Sequence, residues 1–398
     1  PRDYLSTFVK LGTVIVLAIA IITLQPEIKM PALTQFTDGT GPIFGGSVFP
    51  FVFITIACGA ISGFHALISS GTTPKLIDNE RHIPMIGYGG MLLEAFVAIM
   101  AMVAACVLEP GIYFAINSPA GIVGTEANEI ISKINSWGYS VTVEQMNQLA
   151  EDVGESTLFA RTGGAPSLAV GMATIFANAF GKHLLALWYH FAIMFEAVFI
   201  LTTLDSGTRV GRFMLQDMLG NLHPKLGQTS WLPSIILTSF IVVSCWGYFL
   251  YIGVIDPNGG VNILWPLFGI ANQMLAAIAL SVGTAILIKS DKIKFAWITA
   301  IPLVWLMIVT TSAAYQKIFS EDIRIGFLSA ANSMSEKISN GYIPDYGIDV
   351  AQKLIFNLKL DAGITIFLVI ILWIVIIDVI RIALTTNIKN RKRKLSDV

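Results

Sequence analysis

The chain has 398 residues, of which 55% are hydrophobic and 13% charged, with a formal charge of -1 and a mean hydropathy of +0.72. A soluble domain carries roughly a quarter charged residues, so the expected solvent is a bilayer. The near-zero, dispersed charge excludes a nucleic-acid surface and gives no reason to expect an acidic partner.

About 20 apolar residues cross a hydrocarbon core of about 30 Å, and eight segments meet that length: Phe8–Leu24, Val48–Ser70, Ile86–Leu108, Leu184–Leu204, Trp231–Ile255, Ile263–Ile288, Phe295–Tyr315 and Ile364–Leu384. A ninth apolar segment, Pro166–Phe180, is too short to cross and reads as a re-entrant helix. Lysine and arginine are retained on the cytoplasmic side. Arg2, Lys75, Arg81, Arg209, Lys289 and the tail Lys389 to Lys394 then place both termini in the cytoplasm of a multi-pass inner-membrane protein. Two long outer segments, Glu109–Arg161 and Gln316–Asp361, read as small caps, the first with a capping-box helix opening at Thr142 and Gln145. Pro1 is followed by no signal peptide, and the chain reads as an interior fragment of a longer protein.

Cys58, Cys106 and Cys245 lie in apolar runs without metal spacing and read as packing residues. No P-loop, nucleophile elbow or zinc motif occurs, so no catalytic residue, metal or cofactor is expected beyond H⁺ or Na⁺ as a coupling ion.

Non-helical backbone inside a membrane must line a cavity or be buried in protein. The second span invites such a break at Gly59 and Gly63, with Ser62, His65 and Ser69 at i, i+3, i+7 spacing on one face. Two glycines four apart also make a helix-packing seam, which is the plainer reading. Asn272 and Gln273, which follow the helix weakeners Pro266 and Gly269, are expected to line the same cavity. Together these seven residues form the expected substrate site. A carboxylate in hydrocarbon is costly when ionised and cheap when neutral, so Glu94 and Glu196 read either as proton relays or as partners of buried cations. Thr202, Thr203, Asp205 and Ser206 form a hard-oxygen cluster suited to a cation or a proton, unless Asp205 merely pairs Arg209 at i+4. Asp378 is expected to pair Arg381.

The runs GPIFGGSVFPFVFITIACGAISGFHALISSGTTPK, IGYGGMLLEAFVAIMA, ILTTLDSGTR and LWPLFGIANQMLAAIAL resemble the carbon starvation protein family over essentially the whole chain. The resemblance implies uptake of peptides or pyruvate during carbon starvation, with further membrane helices upstream of Pro1 as the missing partner of this chain. It also implies a leucine-transporter-like fold of two inverted five-helix repeats. On that reading residues 1–30 close the first repeat, 31–290 form the second with outer loop 109–165, and 291–398 add two helices, loop 316–361 and a basic tail. The Thr202 cluster then falls where sodium-coupled relatives hold a cation. The expected function is a secondary transporter rather than an enzyme, with lipid and a small solute as its other partners. A channel or sensor of the same fold is the main alternative, and a membrane-embedded enzyme a further one.

Overall fold

A computed structural model describes residues 2–43, 45–56, 59, 61–255, 261–343 and 347–396; the side chains of 2–3, 249, 252–255, 261–266 and 386–396 lie outside the description, as does Cys58. Among the described residues every regular element is helical and none is a strand. Counted over the described residues, six helices are long and apolar enough to cross a membrane: Tyr4–Leu24, Glu80–Cys106, Lys182–Gly220, Leu267–Lys289, Trp297–Phe319 and Ile348–Thr385. Of the eight expected spans, the second is divided into short pieces, while the fifth is one continuous helix over Leu232–Ile255.

The chain forms two compact units. The first comprises Pro1–Phe44 and Ile77–Leu215. It contains α1 (Arg2–Leu24) and α4 (Gly90–Cys106); α2 (Val48–Thr55) and α3 (Gly63–Leu67), which come between them in the chain, belong to the second unit. Four short helices follow, α5 (Pro110–Asn117), α6 (Ala120–Val123), α7 (Ala127–Ser136) and α8 (Val143–Val153), and then α9 (Ala165–Phe180) and most of α10 (Leu185–Gly220). Helices α5 to α8 fold over the stretch where the first cap is expected. Ile130, Ile134, Met146 and Val153 are buried in it, and Phe36 packs edge-on against Phe114 and Trp137. The expected capping box is formed: Gln145 N–H donates to Thr142 Oγ1 at 3.2 Å, and Thr142 N–H to Gln145 Oε1 at 2.9 Å. Helix α9 packs against α1, α4 and α5, and nine of its sixteen residues are buried, so its surroundings are protein on most sides.

The second unit comprises Gly45–Leu76 and Gln216–Val398. Its elements are α2 (Val48–Thr55), α3 (Gly63–Leu67), α11 (Leu232–Ile255), α12 (Val261–Lys289), α13 (Trp297–Phe319), α14 (Phe327–Ser339) and α15 (Ile348–Ser396). Helix α12 is its centre, packing on α13, α15 and both pieces of the divided second span. Phe51, Ile54, Ile270, Met274, Leu306, Val309 and Leu372 form the core. Outside the core, large side chains such as Phe240, Trp297, Phe367 and Ile374 are exposed along the long helices. A helix facing lipid carries such a surface.

Hydropathy misplaced two helix ends. Helix α10 continues past Leu204 to Gly220, and α15 begins at Ile348, inside the expected outer loop. Backbone hydrogen bonding and packing carry a helix beyond its apolar run, whereas hydropathy marks the run alone. Asp378 and Arg381 are both exposed, and no ion pair joins them among the described residues. Asp378 instead shares a groove of about 500 Å³ with Lys289, Ile286 and Val379. Cys245 is exposed and so is not a packing residue of this unit, while Cys106 is half-buried.

Candidate functional site

The second span is interrupted in the middle. Helix α2 stops at Thr55, Ser62 is extended (φ -102°, ψ 126°), and α3 starts at Gly63. A break strands carbonyls on one side and amides on the other, and each needs a partner when buried. Two adjacent side chains of α12 serve both sides. Gln273 Nε2 donates to the Phe53 carbonyl at 2.6 Å, and Asn272 Oδ1 accepts from Phe64 N–H at 2.9 Å and from Ser62 Oγ at 3.4 Å. Ser62 Oγ in turn accepts from His65 N–H at 3.4 Å, and Thr310 Oγ1 donates to Gln273 Oε1 at 3.4 Å.

Close approach at this crossing depends on two glycines. A Cβ on Gly63 would overlap the Asn272 carbonyl oxygen and Leu275 Cβ, and one on Gly269 would lie 2.9 Å from the Ile54 carbonyl oxygen. A Cβ on Gly59 meets no described atom within 4 Å. The two glycines of the expected seam therefore differ: Gly63 is packed against α12 and Gly59 is open.

The amides of Phe64 and His65 are thus taken by the protein itself. The donor left over is Asn272 Nδ2, which is buried and has no hydrogen-bond partner among the described residues, in a side chain only 4% exposed. Because Phe64 N–H can only donate, it fixes Oδ1 toward α3 and turns Nδ2 the other way. His65 and Ser69 are exposed; the His65 ring stands edge-on to Phe64, and Ser69 Oγ donates to the Ala66 carbonyl at 3.0 Å. A π-helical turn over Ile68–Thr72 shifts Ser69 off the regular i+7 register on which the shared face was drawn.

In the first unit, Thr202 lies next to a cation that belongs to the protein. Lys10 Nζ donates to Thr202 Oγ1 at 2.7 Å and lies 4.8 Å from the Phe199 ring centroid. Thr202 and Thr203 both donate to the Phe199 carbonyl, and Asp205 pairs Arg209 at 3.3 Å within a continuous helix. Ser206 is half-buried on the same helix. Glu94 is exposed, while Glu196 is half-buried and in no ion pair among the described residues.

Two buried charged side chains escaped the sequence reading. Asp361 is 4% exposed with Oδ2 unpartnered among the described residues, and Lys317 is 8% exposed. Both were assigned to the second outer loop. A helical register carries the missing signal: Thr310, Ala313, Ala314 and Lys317 share one buried face of α13, as Leu354, Asp361, Thr365 and Leu372 do on α15.

Several membrane-length helices, and a further span interrupted where Gly63 crosses α12, define a multi-pass membrane protein. The chain belongs to the carbon starvation protein CstA family, whose model matches residues 1–313. It is 52% identical over 391 residues to the "Peptide transporter CstA" of Escherichia coli (strain K12), covering 96% of this chain and 56% of that protein. To the "Pyruvate/proton symporter BtsT" of the same strain it is 50% identical over 400 residues, covering 94% and 56%. The "Peptide transporter CstA" of Bacillus subtilis (strain 168) is 41% identical over 317 residues, covering 79% and 50%. The chain therefore spans about half the length of the curated relatives it matches. No solved structure matches it.

Proposed function

We propose that the protein is a proton-coupled secondary transporter for small carboxylates or short peptides. In this reading it lies in the cytoplasmic membrane with both termini inside, and binds its solute at the break between α2 and α3. The observation that carries the site is the unpartnered amide of Asn272, a buried donor beside a helix interruption. A buried N–H without an acceptor costs about 1–3 kcal/mol, which a solute carboxylate recovers by accepting from it. Ser62 and Gly63 form the wall next to it, Gln273 holds the break open, and Gly59, His65 and Ser69 line the approach. The names of the two Escherichia coli relatives support a peptide or pyruvate-like solute, and the second supports coupling to protons.

Proton coupling is also favoured over sodium by Lys10. An ammonium 2.7 Å from Thr202 Oγ1 would face any Na⁺ on that hydroxyl as a like charge at close range. Glu94 and Glu196 are the proposed carriers. The interrupted span and short buried α9 support the leucine-transporter-like arrangement, with 31–290 as the second repeat, α9 re-entrant, and 291–398 as an addition.

The test is a binding competition on the purified protein in lipid nanodiscs, comparing pyruvate, its uncharged amide and a dipeptide. Asn272→Asp keeps an acceptor for Phe64 N–H but removes the donor, and is expected to weaken carboxylate binding at least tenfold without unfolding the break. Concentrative uptake into vesicles is expected to follow a proton gradient and to persist without Na⁺, with Glu94→Gln or Glu196→Gln altering its pH dependence. An amide that competes as well as the acid, together with full affinity in Asn272→Asp, would remove the site from this break.

A further inference from the structure

We propose that Lys317 is a second anion subsite, in the same unit as the break, that receives the solute's carboxylate on its way to Asn272; this rests on the carboxylate reading above. Lys317 lies in the last turn of α13, and its ammonium is held between two rings, with Nζ 5.3 Å from the Phe51 centroid and 5.8 Å from that of Phe327. Both rings are more than nine-tenths buried, as is Lys317 itself. Phe51 belongs to α2 and lies about 3 Å along the helix axis from Phe53, whose carbonyl Gln273 holds. The cation therefore sits beside the piece of helix that leads into the break.

A buried ammonium needs a counter-charge or acceptors for its three N–H donors. No ion pair and no hydrogen bond holds Lys317 among the described residues, and its Nζ, unlike the closed-off Asn272 Nδ2, keeps contact with solvent. Asp322 is the acid that acts on it, and Asp322 is committed elsewhere. Its carboxylate accepts from Arg324 Nη2 at 3.0 Å, Nε at 3.3 Å and the backbone N–H at 2.9 Å. Those bonds hold the Asp322 carboxyl below its ordinary value of 3.8. The α13 terminus and the two π faces attract the cation but leave its N–H groups to solvent, where a small anion can take the place of water. One cation framed by apolar rings suits a single carboxylate on an otherwise uncharged or apolar body rather than a polyanion.

The experiment measures pyruvate binding to the purified protein in nanodiscs, with pyruvamide and chloride as competitors, for wild type, Lys317→Met, Lys317→Arg and Asn272→Asp. Lys317→Met is expected to weaken pyruvate at least tenfold while leaving pyruvamide binding and Tm close to wild type, and Lys317→Arg to restore most of the affinity. Lys317→Gln carries the same comparison if the methionine variant does not fold. Wild-type pyruvate affinity in Lys317→Met, beside a loss in Asn272→Asp, would overturn this subsite and leave the function standing. Equal loss of acid and amide, with a fall in Tm that arginine does not rescue, would make Lys317 a structural clamp. Displacement of pyruvate by equimolar chloride would make it a site for any anion. Full affinity in every variant would overturn the carboxylate reading and this subsite together.

Discussion

Gly63→Ala puts one methyl group where the divided span crosses α12. The added Cβ overlaps the Asn272 carbonyl oxygen, Leu275 Cβ and, at 3.0 Å, the Ala276 amide nitrogen. Two of these three atoms are backbone within a long helix, so neither can move aside by a change of rotamer. Overpacking of this kind costs about 1–3 kcal/mol, and backbone contacts place it toward the upper end. For a unit of about 200 residues, roughly 2–4 °C per kcal/mol gives a fall in Tm of about 2–12 °C. The same substitution at Gly59 meets no described atom within 4 Å and fills open space, so its expected change is near zero. Tryptophan fluorescence during heating of the purified protein in detergent reads both variants. Separating α12 from α3 also stretches the bond from Phe64 N–H to Asn272, so solute affinity is expected to fall with Tm in Gly63→Ala alone. Wild-type stability in both variants would refute the crossing, and equal loss in both would restore the plain two-glycine seam.

Asp361→Asn is expected to leave Tm unchanged or raise it, because a buried carboxylate oxygen without a partner costs more charged than neutral. A fall of more than about 2 kcal/mol would show that the carboxylate has a partner. Thr142→Ala removes the reciprocal bonds at the start of α8 and is expected to cost about 0.5–2 kcal/mol, seen as faster hydrogen exchange over Val143–Val153 and not in α13. In a cysteine-free background, an impermeant thiol reagent applied outside cells is expected to label cysteines placed at Gln145 and Ser333, and to leave one at Asn79 unmodified. The reverse pattern would invert the proposed topology.

Length, charge and the apolar runs were enough to read an all-helical membrane chain, because crossing a bilayer is a local property of about 20 consecutive residues. The capping box was legible for the same reason, since its two bonds join residues three apart. The interruption near Gly63 was legible from glycines and hydroxyls in an otherwise apolar run. Tertiary structure alone decided what the interruption does. Asn272 reaches Phe64 across 208 residues and Gln273 reaches Phe53 across 220, and those bonds take up the very amides and carbonyls that a local reading leaves free for solute. Lys10 meets Thr202 across 192 residues, turning a hydroxyl cluster that reads as a cation site into the acceptor of the protein's own ammonium. Lys317 and Asp361 looked like loop charges because hydropathy ends a span at its first polar residues, while helix packing carried both onto buried faces. Hydrophobic length is set by neighbours in sequence, but the partner of a buried polar atom is set by whichever helix crosses it, and that depends on how the chain packs.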